Sequence, residues 1–430
     1  MIEIGEQMHD FARQLWGIDR SLTGEGVRET LQRIKDEVPE LEIKSVPSGE
    51  KAFDWTVPKE WKVTEAYIIT PSGERICDYS ESNLHLVGYS VPFSGVLTRE
   101  ELDKHLYSLP DQPSAIPYIT SYYQERWGFC LPHSLREKLQ PGDYKVVINT
   151  ELFDGVLNYG EILIPGVESK EIFLSTYICH PSMANNELSG PTVTTYLIKW
   201  IAQMGNRRYS YRVVFIPETI GSIVYISRNL EQLKSNVTAG FNVTCVGDDR
   251  TYSYLPSRRG GTVSDKAAEH VLKWVDPDHQ KYTWLDRGSD ERQYCSPGVD
   301  LPIATIMRSK YGEYPEYHTS LDDLENVVTA SGLEGGFTAI QRALEVIERD
   351  QVYRTTFLCE PQMGKRGLYP TLSTKGTKSL VKNMMDFISL CDGTESLLEI
   401  AEELNLPVWD LYGTLDTLLE NGVVELGSAK

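Results

Sequence analysis

Four short apolar runs in this chain end on residues able to bind or activate a metal: Cys179-His180, Pro217-Glu218, Val246-Gly247-Asp248 and Tyr317-His318-Thr319. Neutral imidazoles and carboxylates are ordinary zinc ligands. His180 opens the turn-rich loop Cys-His-Pro-Ser-Met-Ala-Asn-Asn-Glu-Leu-Ser-Gly, which leads into a helix and sets Glu187 close to that helix's positive end. Glu218 closes the run Val213-Val214-Phe215-Ile216, so its carboxylate is expected at a sheet rim, as general base toward a metal-bound water or as a ligand itself. His318 sits in Glu-Tyr-His-Thr-Ser-Leu-Asp-Asp, with Asp322 placed to orient it from behind. His180 and Glu187 can then face one metal ion. The bland alternative makes His180 a hydrogen-bonded core histidine and Glu187 a helix cap.

Residues so far apart in sequence meet only if the elements carrying them converge. In an alternating strand and helix fold, successive parallel strands end in one crevice. After Pro165 the pattern is of that kind. Ile172–Cys179, Arg212–Ile216, Gly240–Val246 and Pro302–Met307 read as buried strands. Val193, Leu197, Trp200 and Ile201 repeat at helical spacing after Pro191, and Ala267, Ala268, Val271 and Leu272 mark another helix, with Ser264 or Asp265 available as its cap. A mainly parallel sheet flanked by helices follows. Residues 1 to 45 read as helical, with Phe11, Leu15 and Ile18, then Val27, Leu31 and Ile34, on apolar faces. Between Lys51 and Gly160 the texture turns to short alternating runs broken by prolines, the mark of an inserted β-rich domain. The last stretch holds three helical patterns and ends on Gly422-Val423-Val424-Glu425-Leu426, which suggests a winged helix with a small hairpin wing. The domains are therefore read as 1–50 with 160–352 (α/β), 51–159 (β-rich insert) and 355–430 (winged helix).

A chain of 430 residues exceeds what one core sustains, and a net charge of -20 excludes a nucleic acid or an anionic membrane as main partner. Within 355–430 six basic residues face eleven acidic ones, 6 - 11 = -5, so the winged helix is read as a contact module for a protein partner or a second copy. Seven scattered cysteines without a Cys-x-x-Cys pair argue against a disulfide framework, and an acidic start with no long apolar run argues for a soluble, unprocessed, cytoplasmic protein.

The order of these motifs is similar to that of the co-catalytic zinc aminopeptidases: a His after a strand, an Asn-rich loop ending in Ser-Gly, a Glu before Gly-Ser, and a late Tyr-His-Thr with an Asp four residues on. It resembles more closely a bacterial subgroup of polysaccharide-biosynthesis-associated aminopeptidase-like proteins, which carry a β-rich insert and a C-terminal winged helix. Asp19-Arg20-Ser21-Leu22-Thr23-Gly24, Gly288-Ser289-Asp290-Glu291-Arg292-Gln293 and Cys359-Glu360-Pro361-Gln362-Met363-Gly364-Lys365-Arg366-Gly367 extend the resemblance over nearly the whole chain. It implies a zinc hydrolase that cleaves the amide bond beside a free amino group of a peptide-like substrate. It further implies one zinc ion held by His180, Glu187 and His318, with Glu218 as base, Asn186 and Asp322 as supports, Asp290 or Glu291 available for the substrate ammonium, and Arg292 or Arg308 for a carboxylate. The departures are equally specific. Ser182 stands where the family has the Asp of His-x-Asp, and Asn186-Glu187 stands for its bridging Asp-Asn. Glu218 alone replaces a Glu-Glu pair, and Thr244 takes the place of an aspartate ligand, with Asp248 four residues on. Two competing readings follow: an amidase or deacylase acting on a sugar intermediate, and a retired peptidase fold that binds a ligand or scaffolds a complex.

Overall fold

The computed structural model describes residues 3–122, 124–368 and 375–427. They form two compact units, Met1–Asp265 with Asp278–Ile340, and Lys266–Pro277 with Gln341–Lys430.

The first unit is built on an eight-stranded sheet. In chain order its strands are β1 (Glu42–Pro47), β2 (Val156–Ile164), β3 (Glu171–Tyr177), β4 (Ser210–Ile216), β5 (Val237–Asn242), β6 (Ser253–Leu255), β7 (Gln280–Lys281) and β8 (Ile303–Met307). They lie side by side as β1-β2-β4-β3-β5-β8-β6-β7. The four central strands, β4, β3, β5 and β8, are mutually parallel, while β1, β2 and β6 pair antiparallel at the flanks. Every residue of β3, β4 and β8 is buried, as expected for strands covered on both faces. Their C-terminal ends, Tyr177, Ile216 and Met307, therefore open onto one rim, just before His180, Glu218 and Arg308.

Helices α1 (Ile4–Trp16) and α2 (Glu25–Glu37) bury Met8, Phe11, Ala12 and Leu15, and Val27, Leu31 and Ile34, so the apolar faces read from the sequence are the ones that pack. Helix α3 (Ser189–Gln203) carries Pro191 in its first turn, where the missing N–H costs nothing. The helix Val263–Val275 starts one residue before Ser264, so Ser264 and Asp265 are not its cap. Thr262 takes that place: its backbone N–H donates to Asp265 Oδ2 at 2.9 Å and its hydroxyl oxygen accepts from Asp265 N. Residues of the β-rich stretch form an antiparallel sheet ordered Arg75–Ile76, Glu60–Ile69, Asp143–Phe153, Phe93–Thr98, within the same unit.

The second unit sets the helices Lys375–Leu390, Leu397–Glu403 and Trp409–Glu420 beside a three-stranded antiparallel sheet. The closing strand Val424–Leu426 does not fold back as a hairpin. It pairs with Val352–Thr355, a strand that begins before the stretch read as the winged helix and reaches only its first residue. No helix among the described residues is long and apolar enough to cross a membrane.

Candidate metal centre

His180 leaves β3 into a loop whose residue Ser182 has φ 44° and which closes as a single π-turn, Ala184–Leu188. Such turns recur at functional sites, and this one is pinned from across the chain. Asp322 O accepts from Ala184 N at 2.8 Å, and the Asp322 carboxylate accepts from Asn185 N at 2.7 Å, Asn186 N at 2.9 Å and the Tyr314 hydroxyl at 2.8 Å. The turn sends Glu187 back under the imidazole, where its Oε2 lies 3.0 Å from His180 Nδ1. The buried Arg20 guanidinium backs the pair, donating to His180 O at 3.0 Å and lying 3.5 Å from Glu187 Oε1. With that carboxylate ionised, Nδ1–H donates to it and the lone pair belongs to Nε2, which faces Glu218 Oε2 at 3.7 Å.

Glu218 is aimed by a strained turn. Thr219 has φ 65° and ψ -75°, and Ile220 N donates to Glu218 O at 2.8 Å, closing a γ-turn of the rare, costly hand. Asp290 holds it from beneath, accepting from Thr219 N and Ser222 Oγ, each at 2.7 Å, while Arg292 Nη2 donates to Thr219 Oγ1 at 2.7 Å. Glu218 N in turn donates to Cys179 Sγ at 3.2 Å.

His318 also has a positive φ, 55°. Its ring stacks on Tyr317 at 3.9 Å between centroids and lies 5.4 Å from the His180 ring. Tyr118 stands 5.1 Å from His180 and 5.2 Å from His318, and Tyr177 5.2 Å from His180, so three phenol rings wall in two imidazoles. His318 Nε2 is buried and has no hydrogen-bond partner among the described residues.

Burial in this aromatic wall lowers both imidazoles to about 3, helped at His180 by Arg20 and at His318 by His180, so both are neutral donors across the physiological range. Burial likewise pushes Glu187 and Glu218 up to about 8; Arg20 opposes the shift at Glu187 and the Asp290 charge adds to it at Glu218. Glu218 keeps 21% of its side chain exposed and Glu187 none, so water moderates the shift more at Glu218.

Several expected roles change. Asp322 spends its oxygens on the π-turn and Tyr314, so it shapes the loop and does not orient His318. The Asn186 amide oxygen accepts from the Tyr177 hydroxyl at 3.0 Å, and that hydroxyl lies 2.6 Å from Thr244 Oγ1, a closed triad. Asp248 is buried against Asn185, Ser309 and Arg250 N. Asp290 is wholly buried beneath the Thr219 turn, out of reach of a substrate ammonium, and Glu291 is engaged by Gly288 N, Ser289 N, Tyr311 and Asn242. Arg308 donates to Thr251 O and covers the Tyr252 ring. Arg292 remains beside Glu218, its Nε buried with no hydrogen-bond partner among the described residues. Arg20, Tyr118 and Thr219 were not read from the sequence. Arg20 lies in a motif that was noticed, but nothing in residue type alone gave it a task.

The donor types suit a single divalent cation of the His2Glu kind: two neutral imidazoles, one with an orphaned Nε2, and a carboxylate facing the other's Nε2. The three groups do not all lie within 4.8 Å of one another, so an ion would have to draw them together. A second ion finds no carboxylate at Asn186 or Thr244, which are bound up with Tyr177. Among the described residues, the one set of three potential donors within 4.8 Å of one another is Cys179, His180 and Glu187. That cluster is a hydrogen-bonded core, because burial holds the thiol well above its usual range and the Arg20 cation stands beside it.

The family described as "Domain of unknown function (DUF4910)" matches residues 9–350, and a winged helix-turn-helix matches 351–426. A Clostridium acetobutylicum protein, named as a candidate polysaccharide biosynthesis protein with aminopeptidase-like domain, is 41% identical over 401 residues, covering 93% of this chain and 91% of its own. The crystal structure of a candidate peptidase from the same organism superposes with TM-score 0.91 at 39% identity, covering 98% of this chain and 96% of that one. A zinc aminopeptidase from Bacillus subtilis shares the fold, with TM-score 0.59 at 12% identity over 79% of this chain and 94% of its own. So does a peptidase M28 precursor from Shewanella amazonensis, with TM-score 0.56 at 11% identity over 83% and 98%.

Proposed function

Since the chain belongs to the DUF4910 family and has the aminopeptidase-like fold joined to a winged helix, we propose that it is a single-zinc hydrolase of aminopeptidase type, cleaving an amide bond beside a free amino group. The orphaned Nε2 of His318, buried opposite a His180 whose Nε2 faces Glu218, carries this reading. His180, His318 and Glu218 would hold the ion and Glu187 would keep the His180 ring in register, which makes Glu218 a ligand where the sequence suggested a base and Glu187 a support where it suggested a ligand. When bound, zinc polarises the scissile carbonyl and supplies an activated water. The rest is the chain's own work. Tyr118, Tyr177 and Tyr317 exclude bulk water, Thr219 aims Glu218, and Arg292 Nη2 fixes that turn through the Thr219 hydroxyl. The relative's name supports a link to polysaccharide biosynthesis, and the proposed substrate is a peptide or peptide-like conjugate. Seven free cysteines, six of them buried, support a reducing cytoplasm.

The test is metal analysis of the purified chain beside His318→Ala, together with hydrolysis of aminoacyl arylamides and acylated sugars. One equivalent of zinc in the wild type and much less in the variant is expected; equal zinc in both would sink the site. The closed Tyr177–Asn186–Thr244 triad favours a second reading, a ligand-binding protein on a retired peptidase fold. A chain that takes up no zinc, and gains no thermal stability when zinc is added, establishes that reading instead.

A further inference from the structure

The stretch read as a β-rich insert does more than sit beside the sheet. Its residues 116–121 run as a strap between two other segments. On one side Gly88 N donates to Ile119 O at 2.8 Å and Ser121 N to Gly88 O at 2.9 Å. On the other, Tyr118 N donates to His318 O at 2.8 Å, Ser320 N to Ile116 O at 2.9 Å, and Ile116 N to Ser320 Oγ at 3.0 Å, with a bridge between Pro117 and Thr319. Gln112 adds a bond from Nε2 to Pro315 O at 2.7 Å. The strap thus holds the backbone of the residue whose φ is 55°, and its one aromatic side chain, Tyr118, lies nearly equidistant from both imidazoles.

We infer that Tyr118 is a positioning residue for the metal centre. The strap, bonded to His318 O, fixes the left-handed backbone at His318, and the Tyr118 ring, wedged against both imidazoles, sets their separation. The inference rests on the single-zinc reading for its function, but not for its geometry. A left-handed backbone is uncommon at any residue but glycine, and here the strap supplies a constraint that holds it. The tyrosine hydroxyl is turned to the Thr120 side chain, so the working part of Tyr118 is its flat ring.

The experiment compares zinc titration of the full-length chain with metal-free crystal structures for wild type, Tyr118→Phe, Tyr118→Ala and Tyr118→Leu. The leucine variant fills volume without a planar face and carries the test should the alanine variant not fold. In the leucine or alanine variant, zinc affinity is expected to fall about 10- to 100-fold, the range found when groups that orient metal ligands are removed. The two histidine rings should also leave their 5.4 Å separation. Tyr118→Phe should restore both. An imidazole pair that stays in place overturns the inference whatever zinc does, and so does a displaced pair that binds zinc as tightly as before. A wild type that binds no zinc removes the metal reading, and ring displacement alone then decides the role of Tyr118.

Discussion

At the scale of single residues, the two glutamates on either side of His180 separate the available readings. Glu218→Gln removes a proposed ligand and is expected to weaken zinc binding by far more than tenfold. Glu187→Gln keeps an acceptor for Nδ1–H and should stay within about 10- to 100-fold of wild type by the same titration. The reverse order would restore the assignment suggested by the sequence. The pH dependence has a definite sign. Both carboxyls titrate at about 8 when folded and at about 4.3 when unfolded, so between those values the folded chain binds more protons, and rising pH destabilises it. The histidines, lowered to about 3, oppose this only below about 6.5, where unfolded histidine begins to charge. Melting of the chelator-treated protein should therefore fall between pH 6.5 and 8. Zinc affinity should rise over the same window and level off near 8, as the donors lose their protons. A metal-free melting temperature that climbs through this window would contradict the buried carboxyls.

At the scale of elements, the loop before α3 depends on a carboxylate from the far end of the unit. Asp322→Ala leaves two buried backbone N–H groups of the π-turn without acceptors and should cost about 3 kcal/mol or more in denaturant unfolding; a loss under about 1 kcal/mol would mean that the loop holds itself. Asp322 also shows what a sequence conveys and what it hides. The buried strands were legible because β-branched and aromatic runs bounded by turn residues have few other uses, and the strand ends put His180 and Glu218 on one rim, whereas His318 lies in a turn 11 residues past the strand that ends at Met307. The acids were not assignable in the same way. A carboxylate that accepts backbone N–H bonds in the core is spelled like one that faces a substrate, and Asp290, Asp322 and Asp248 proved to be of the first kind. Thr262 was overlooked as a cap because its partner, Asp265, reaches back one turn and looked like the cap itself. Arg20 and Tyr118 act through contacts set only by the fold.

At the scale of the whole molecule, the winged helix-turn-helix at 351–426 carries an acidic balance, and the full-length chain is expected to leave duplex DNA unshifted in a mobility assay at physiological salt. A salt-sensitive complex would reverse that reading. The strap across His318 bears on how such a chain becomes active. Tyr118, His180, Glu218 and His318 come from stretches made at widely separated moments of synthesis, and the bond from Tyr118 N to His318 O spans 200 positions. Contacts of that reach form late, after the entropy of closing so long a loop has been met. A ribosome-bound fragment ending before His318 has neither the second imidazole nor anything for the strap to grip. On the proposed single-zinc reading, ion capture would then be the last step of maturation, once both imidazoles and the strap are in place.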